Sequence, residues 1–101
     1  MTSAPTSVLL ITPARNEAAQ LPALLASVSA QTLRPACWLI ADDGSTDDTY
    51  AIASAATATR PWLRVIRLPP SGARGFGAKA RAFQAGLAAA AVTGERFDFI
   101  A

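Results

Sequence analysis

Residues Leu39–Thr49 read LIADDGSTDDT. An apolar run ends there in two adjacent carboxylates, Asp42 and Asp43, followed by Gly44, two hydroxyls and two further carboxylates, so that four of the seven acidic residues fall in one short stretch. The run before them, Cys37 to Ala41 (CWLIA), is apolar at every position, which fits a strand covered on both faces. The polar cluster then marks a turn from strand to helix, at the end of the strand where open α/β sheets hold their ligands. Ser45 or Thr46 can cap the helix, and Asp47 and Asp48 complement its positive end. Asp42 and Asp43 precede the helix and are not explained by capping; a plain turn and a ligand-binding rim account for them equally well on spacing alone.

Working outward, Thr49, Ile52, Ala53 and Ala56 form the inward face of this second helix. WLRVIRL, Trp62 to Leu68, alternates apolar and basic and predicts a third strand with an exposed or edge face. Upstream, Val8 to Ile11 is the first strand. After TPARNE, Leu21, Leu24, Leu25 and Val28 fall at i, i+3, i+4 and i+7 of a helix from about Glu17 to Gln31, with Pro22 tolerable only in its first turn. Downstream, PPSGARGFG (69–77) reads as a loop until its glycines end. A third helix from Ala78 carries Ala80, Phe83, Leu87 and Ala90 on one face, and RFDFIA opens a fourth strand. The alternation predicts an α/β fold: a mostly parallel sheet of about four strands flanked by three helices.

The 101 residues are 51% hydrophobic and 16% charged, the balance of one small globular domain spanning 1–101. Net charge is +2, but no acidic residue lies between Asp48 and Glu95, while Arg60, Arg64, Arg67, Arg74, Lys79 and Arg81 do. That basic stretch suits a phosphate-bearing partner. It lacks the interleaved aromatics of a nucleic-acid surface, so nucleic acid is not expected as a partner. Cys37 has no partner for an internal disulfide, and without histidine no Cys/His metal site or Ser/His/Asp triad is available. No basic leader precedes Val8 to Ile11, and AGLAAAAV (85–92) is far short of the ~20 apolar residues of a membrane span. The expected location is cytoplasmic, with no transmembrane segment.

Two turns besides the acidic one carry chemistry. TPARNE follows the first strand in the equivalent place; Arg15 is positioned to face a diphosphate and Asn16 to cap the next helix. GFGAKA (75–80) satisfies G-x-G-x-x-A, a weak dinucleotide fingerprint, but it follows the third strand instead of the first and has Pro69 and Pro70 before it. It also fails as a P-loop, because Lys79 is not followed by Ser or Thr. What remains is a glycine-rich entry to a helix with Arg74, Lys79 and Arg81 nearby, readable as an anion site or as a solvated basic face.

Taken together, VLLITPARNEAAQLPALLASVSAQT, WLIADDGSTDDT, GFGAKARAFQAGL and FDFIA closely resemble the amino-terminal half of family 2 glycosyltransferases of the GT-A fold, from Val8 onward. The resemblance implies a Rossmann-like GT-A half that binds a nucleotide-diphosphate sugar, commonly UDP-linked, for transfer to an acceptor hydroxyl on a saccharide or lipid-linked molecule. It implies that Thr12, Pro13 and Ala14 line the nucleoside pocket, that Arg15 lies by the diphosphate, and that Glu17 holds the loop or contacts the ribose. Asp43 would hydrogen-bond the base, Asp42 would support that loop, and Lys79 or Arg81 would approach the diphosphate. Family members follow a strand like FDFIA with an Asp-x-Asp motif that holds Mg²⁺ or Mn²⁺. The sequence lacks that motif, and Asp98, within the strand, is a poor substitute. The expectation is a truncated portion, inactive alone, with the metal ligands and catalytic base outside it and with self-association through uncovered apolar surface.

The alternative is a noncatalytic α/β module that binds a nucleotide or a protein; a nicotinamide-dependent oxidoreductase is disfavoured by the misplaced glycines. On the glycosyltransferase reading, Asp43→Ala weakens UDP binding with little loss of stability, and Asp47→Ala does neither strongly.

Overall fold

The computed structural model describes residues 8–31, 34–69, 76–92, 97, 99 and 100. Three parallel strands form the sheet: β1 (Val8–Ala14), β2 (Cys37–Asp43) and β3 (Leu63–Leu68). A two-residue β4 (Phe99–Ile100) adds to the free side of β1, giving the order β3-β2-β1-β4. The four strands expected from the sequence are therefore three full strands and one short contact.

Helices α1 (Leu21–Ser29) and α2 (Thr49–Ala56) link β1 to β2 and β2 to β3, and a 3-10 turn at Thr57–Thr59 ends the second connection. Helix α3 (Phe76–Val92) links β3 to β4 across the other face. Crossovers between parallel strands are right-handed, so reversing the direction of travel along the sheet moves the connecting helix to the opposite side. Strand alternation then divides the core. Trp38 and Ile40 of β2 face α1 and α2 with Leu21, Leu25, Val28 and Ala53, whereas Leu39 and Ala41 face α3 at Ala82. All seven residues of β2 are buried, as its unbroken apolar run requires. Trp38 stacks on Trp62 with ring centroids 6.2 Å apart, and its indole Nε1 donates to Thr12 Oγ1 at 2.9 Å. Its polar atom is thus satisfied inside the core.

Helix α3 lies close to the sheet because Gly86 has no side chain. A Cβ there would meet Ile11 Cγ2 at 2.7 Å and Leu39 Cδ2 at 3.3 Å.

Several boundaries depart from those read in the sequence. Helix α1 starts at Leu21 instead of near Glu17, because residues 18–20 form a turn whose amides at Gln20 and Leu21 donate to the Glu17 carbonyl. Pro22 falls in the first turn, where its missing N–H costs nothing. Helix α3 starts at Phe76, ahead of Ala78, with the exposed Gly77 inside its first turn. Both strands β1 and β2 run on into the polar residues, taking in Thr12 to Ala14 and Asp42 and Asp43. Asp98, Arg74 and most of the glycine-rich loop lie outside the described residues.

Candidate nucleotide site

The carboxyl ends of β1 and β2 bring the two polar turns together. Gly44 makes the first bend after β2 with φ of 68°, in the left-handed region that favours glycine. The turn is then held from within: Asp42 Oδ1 accepts from the Ser45 amide at 3.1 Å and from the Ser45 hydroxyl. Asp42 is fully buried, and its other oxygen has no hydrogen-bond partner but lies 3.6 Å from Arg67 Nε. Arg67 in turn rests over the Tyr50 ring, 4.9 Å from its centroid.

Asn16 connects the two turns. Its own φ of 52° places it in the left-handed region, which asparagine tolerates better than most residues. Its amide donates to Ser45 Oγ at 2.9 Å, and its side-chain oxygen accepts from the amides of Thr46 at 2.8 Å and Asp47 at 3.3 Å. The Glu17 amide donates to Thr49 Oγ1 at 2.8 Å and the Ala18 amide to Asp47 Oδ2 at 3.2 Å. Each turn therefore satisfies backbone donors of the other, which neither strand end could do by itself.

The helix start is managed differently from the sequence reading. Ser45 and Thr46 are engaged with Asp42 and Asn16, and it is Asp47 that accepts from the Thr49 amide at 2.9 Å and from the Thr49 hydroxyl. These bonds, the Thr49 hydroxyl first and then the amides of Thr49 and Ala18, hold the Asp47 carboxyl below its ordinary value of 3.8. Asn16 likewise does not cap α1; it serves the turn ahead of α2.

On the opposite face of the sheet, Asp43 points toward α3. Its Oδ1 pairs with Arg81 Nη2 at 2.5 Å, and the same Arg81 nitrogen lies 3.4 Å from the Pro69 carbonyl. Beside this pair, Pro13 of β1 and Lys79, Ala80, Phe83 and Gln84 of α3 line an open groove of about 340 Å³. The groove sits at the carboxyl end of β1, the end of the strands where open α/β sheets bind ligands.

The residues singled out in the sequence thus separate into two sets. Pro13, Asp43, Lys79 and Arg81 gather on the α3 side. Thr12 and Ala14 alternate to the other face, where Thr12 Oγ1 is taken by Trp38 and Ala14 is in the core, so both meet the crevice only through their backbone. Asp42 is inside the turn, Glu17 and Arg15 are half-buried in the turn after β1, and the basic stretch proves to be mostly structural. Among the described residues, Arg60 binds Ser29 Oγ at 2.8 Å, Arg67 lies beside Asp42 and Arg81 pairs with Asp43, and Lys79 is exposed at the groove. The sequence reading missed the roles of Thr49 and Arg67. The only available signal was an excess of hydroxyls and carboxylates in DGSTDDT over what one helix start can use.

A parallel sheet with helices on both faces and an open groove at the carboxyl end of β1 defines a Rossmann-like α/β domain. Residues 9–94 match the family described as Glycosyl transferase family 2, and the chain belongs to that family. No curated protein matches it. Among solved structures it is similar to a mannosyltransferase from Pyrobaculum calidifontis in complex with GDP-mannose and Mn²⁺. The identity is 26% and the TM-score 0.64, over 85% of this chain and 26% of that one, so this chain spans about a quarter of that enzyme's length. The fold is accordingly the Rossmann-like half of a GT-A domain.

Proposed function

We propose that the chain is the nucleotide-sugar-binding portion, within residues 1–101, of a glycosyltransferase that moves a sugar from a uridine-diphosphate donor to an acceptor hydroxyl on a saccharide or lipid-linked molecule. The observation that carries this reading is the placement of Pro13, Asp43 and Lys79 on the α3 side of the sheet, at its strand ends, in a chain that matches the family over residues 9–94.

In this reading Pro13 and the backbone of Thr12 and Ala14 form the nucleoside wall, Asp43 accepts a hydrogen bond from the base, and Glu17 lies on the ribose side. Asp42 holds the turn that presents Asp43, through its bonds to Ser45. Lys79, exposed in the first turn of α3, meets the diphosphate, with Arg15 on the β1 side; Arg81 is already paired with Asp43. Positive charge at a helix start stabilises the charge that grows on the departing nucleoside diphosphate.

A divalent cation, Mg²⁺ or Mn²⁺, would supply further charge stabilisation on that diphosphate. On this reading its ligands, like the catalytic base, belong to sequence outside this chain. No helix among the described residues is long and apolar enough to cross a membrane. We place the protein in the cytoplasm, where nucleotide sugars are the available donors, and expect its apolar edges to be covered by further protein or by a second copy.

Calorimetric titration of the chain with UDP, with NAD as control, tests the reading. UDP should bind, and added Mn²⁺ should change its affinity little. Absence of UDP binding, or equal binding of NAD, overturns it in favour of a noncatalytic α/β module.

A further inference from the structure

Asn16 stands in the turn after β1 with its φ of 52° in the left-handed region, a conformation that persists in a residue with a side chain only where the surroundings hold it. What holds it is the turn after β2. The Asn16 amide donates to Ser45 Oγ at 2.9 Å, and that hydroxyl donates to Asp42 Oδ1, so a relay runs from the β1 turn to the residue beside Asp43. The Asn16 side-chain oxygen accepts from the Thr46 amide at 2.8 Å, from the Thr46 hydroxyl at 3.3 Å and from the Asp47 amide at 3.3 Å. Its acceptor capacity is thus spent on the β2 turn, and Asn16 is not among the residues that line the groove.

We infer that Asn16 is a positioning residue that fixes the β1 turn, which carries Glu17, against the β2 turn, which follows Asp43, so that a nucleoside meets both at once. The inference rests on the proposed assignment of Glu17 to the ribose side and Asp43 to the base. Glu17 follows Asn16 directly and its carbonyl accepts from the Gln20 and Leu21 amides, so the left-handed step at Asn16 sets how the chain leaves β1 for α1. Two contacts held at a fixed separation bind a ligand at lower ordering cost than two that move independently. Asn16 is exposed, and its hydrogen bonds exchange readily with water. Loss of its side chain therefore leaves the fold standing, with the Glu17 to Thr49 and Ala18 to Asp47 ties in place, while the alignment of the two turns is relaxed.

The test is calorimetric titration of the full chain with UDP at a temperature where circular dichroism shows every variant folded. Asn16→Gly keeps the left-handed backbone and removes the acceptor, and Asn16→Asp keeps an acceptor oxygen in its place. UDP affinity should fall about tenfold in Asn16→Gly and by no more than about threefold in Asn16→Asp. A residue that supports only the fold leaves the affinity of the folded protein unchanged. The deciding comparison is a cycle with Asp43→Ala, a change on the α3 side of the sheet, away from the bonds of Asn16. With the base contact gone the two turns have nothing to align, so Asn16→Gly should cost only about twofold in that background. Should the glycine protein fail to fold, Asn16→Ser, whose hydroxyl falls a bond short of the Thr46 and Asp47 amides, enters the same cycle with the same expected losses. Equal losses in the two backgrounds, or unchanged affinity in the folded variants while the unaltered protein binds UDP, overturn the inference and leave the nucleotide reading standing. Absence of UDP binding by the unaltered protein overturns the nucleotide reading and this inference with it.

Discussion

Asp42, Asp43, Asp47 and Asp48 are the same residue type within seven positions, and their surroundings give them different work. Asp42 is buried to close its own turn, Asp43 faces α3 and Arg81, Asp47 ties the start of α2 to Ala18, and Asp48 is exposed at the N-cap position without a side-chain cap bond. Strand alternation alone separates the first two, since neighbouring residues of β2 point to opposite faces. The bonds of Asp47 lead us to expect a larger loss of stability on its substitution than the sequence suggested for Asp47→Ala. Because the folded Asp47 holds its proton less readily than its ordinary value of 3.8, the unfolded chain protonates first as pH falls. Its contribution to stability is therefore complete above about pH 3.8 and is lost as pH drops through the lowered folded value. Asp47→Asn should melt earlier than the unaltered protein at pH 7, and the two melting curves should converge in acid below that window. Curves that stay equally far apart at pH 7 and in acid would show that the carboxylate charge has no part in holding the two turns together.

At the scale of elements, periodicity found every helix and strand but placed their ends poorly, for identifiable reasons. The face of Leu21, Leu24, Leu25 and Val28 was legible because helix period shows in apolar spacing, whereas the turn at 18–20 is made by amides that donate to the Glu17 carbonyl and leave no apolar mark. Gly77 looked like a helix breaker and lies inside the first turn of α3, where a glycine's backbone freedom matters least. The polar rim at the strand ends was half legible. Asp43 and Lys79 could be read from their place after a strand and before a helix, but the Arg81 to Asp43 pair spans 38 positions and the Asn16 ties span about 30, distances over which a single sequence has no pattern to show. Gly86 was equally silent, being one small residue in an Ala-rich helix. Its substitution by alanine would ordinarily favour a helix by about 1 kcal/mol, but the new methyl meets Ile11 Cγ2, a branch at Cβ that cannot swing away. Overpacking of this kind costs about 1–3 kcal/mol, so Gly86→Ala should be destabilising by up to about 2 kcal/mol net in urea unfolding. A gain in stability would mean that α3 stands farther from the sheet than described.

For the whole molecule, the order β3-β2-β1-β4 puts the two site-bearing strands in the middle and the shortest strand at one edge. β2 is paired on both sides along its length and fully buried, while β4 pairs at Val8 and Leu9 only and ends in Ile100, which is 53% exposed. Stability in a folded chain is distributed in this way, with opening free energies that rise from edges to the centre. The site therefore stands on the most stable part of the sheet on one side and borders its least stable part on the other. Backbone hydrogen exchange should show Leu39, Ile40 and Ala41 as the slowest amides, exchanging only through global unfolding, with Phe99 and Ile100 among the fastest described. Bound UDP should slow exchange in Gly44–Thr49 and the first turn of α3, because the ligand would join the turn after β2 to Lys79. It should leave the β4 amides unchanged, since β4 gains support only from whatever protein covers its outer edge. Protection of β4 as strong as that of β2 without ligand would contradict this gradient, and would show that the edge is already covered by a second copy of the chain.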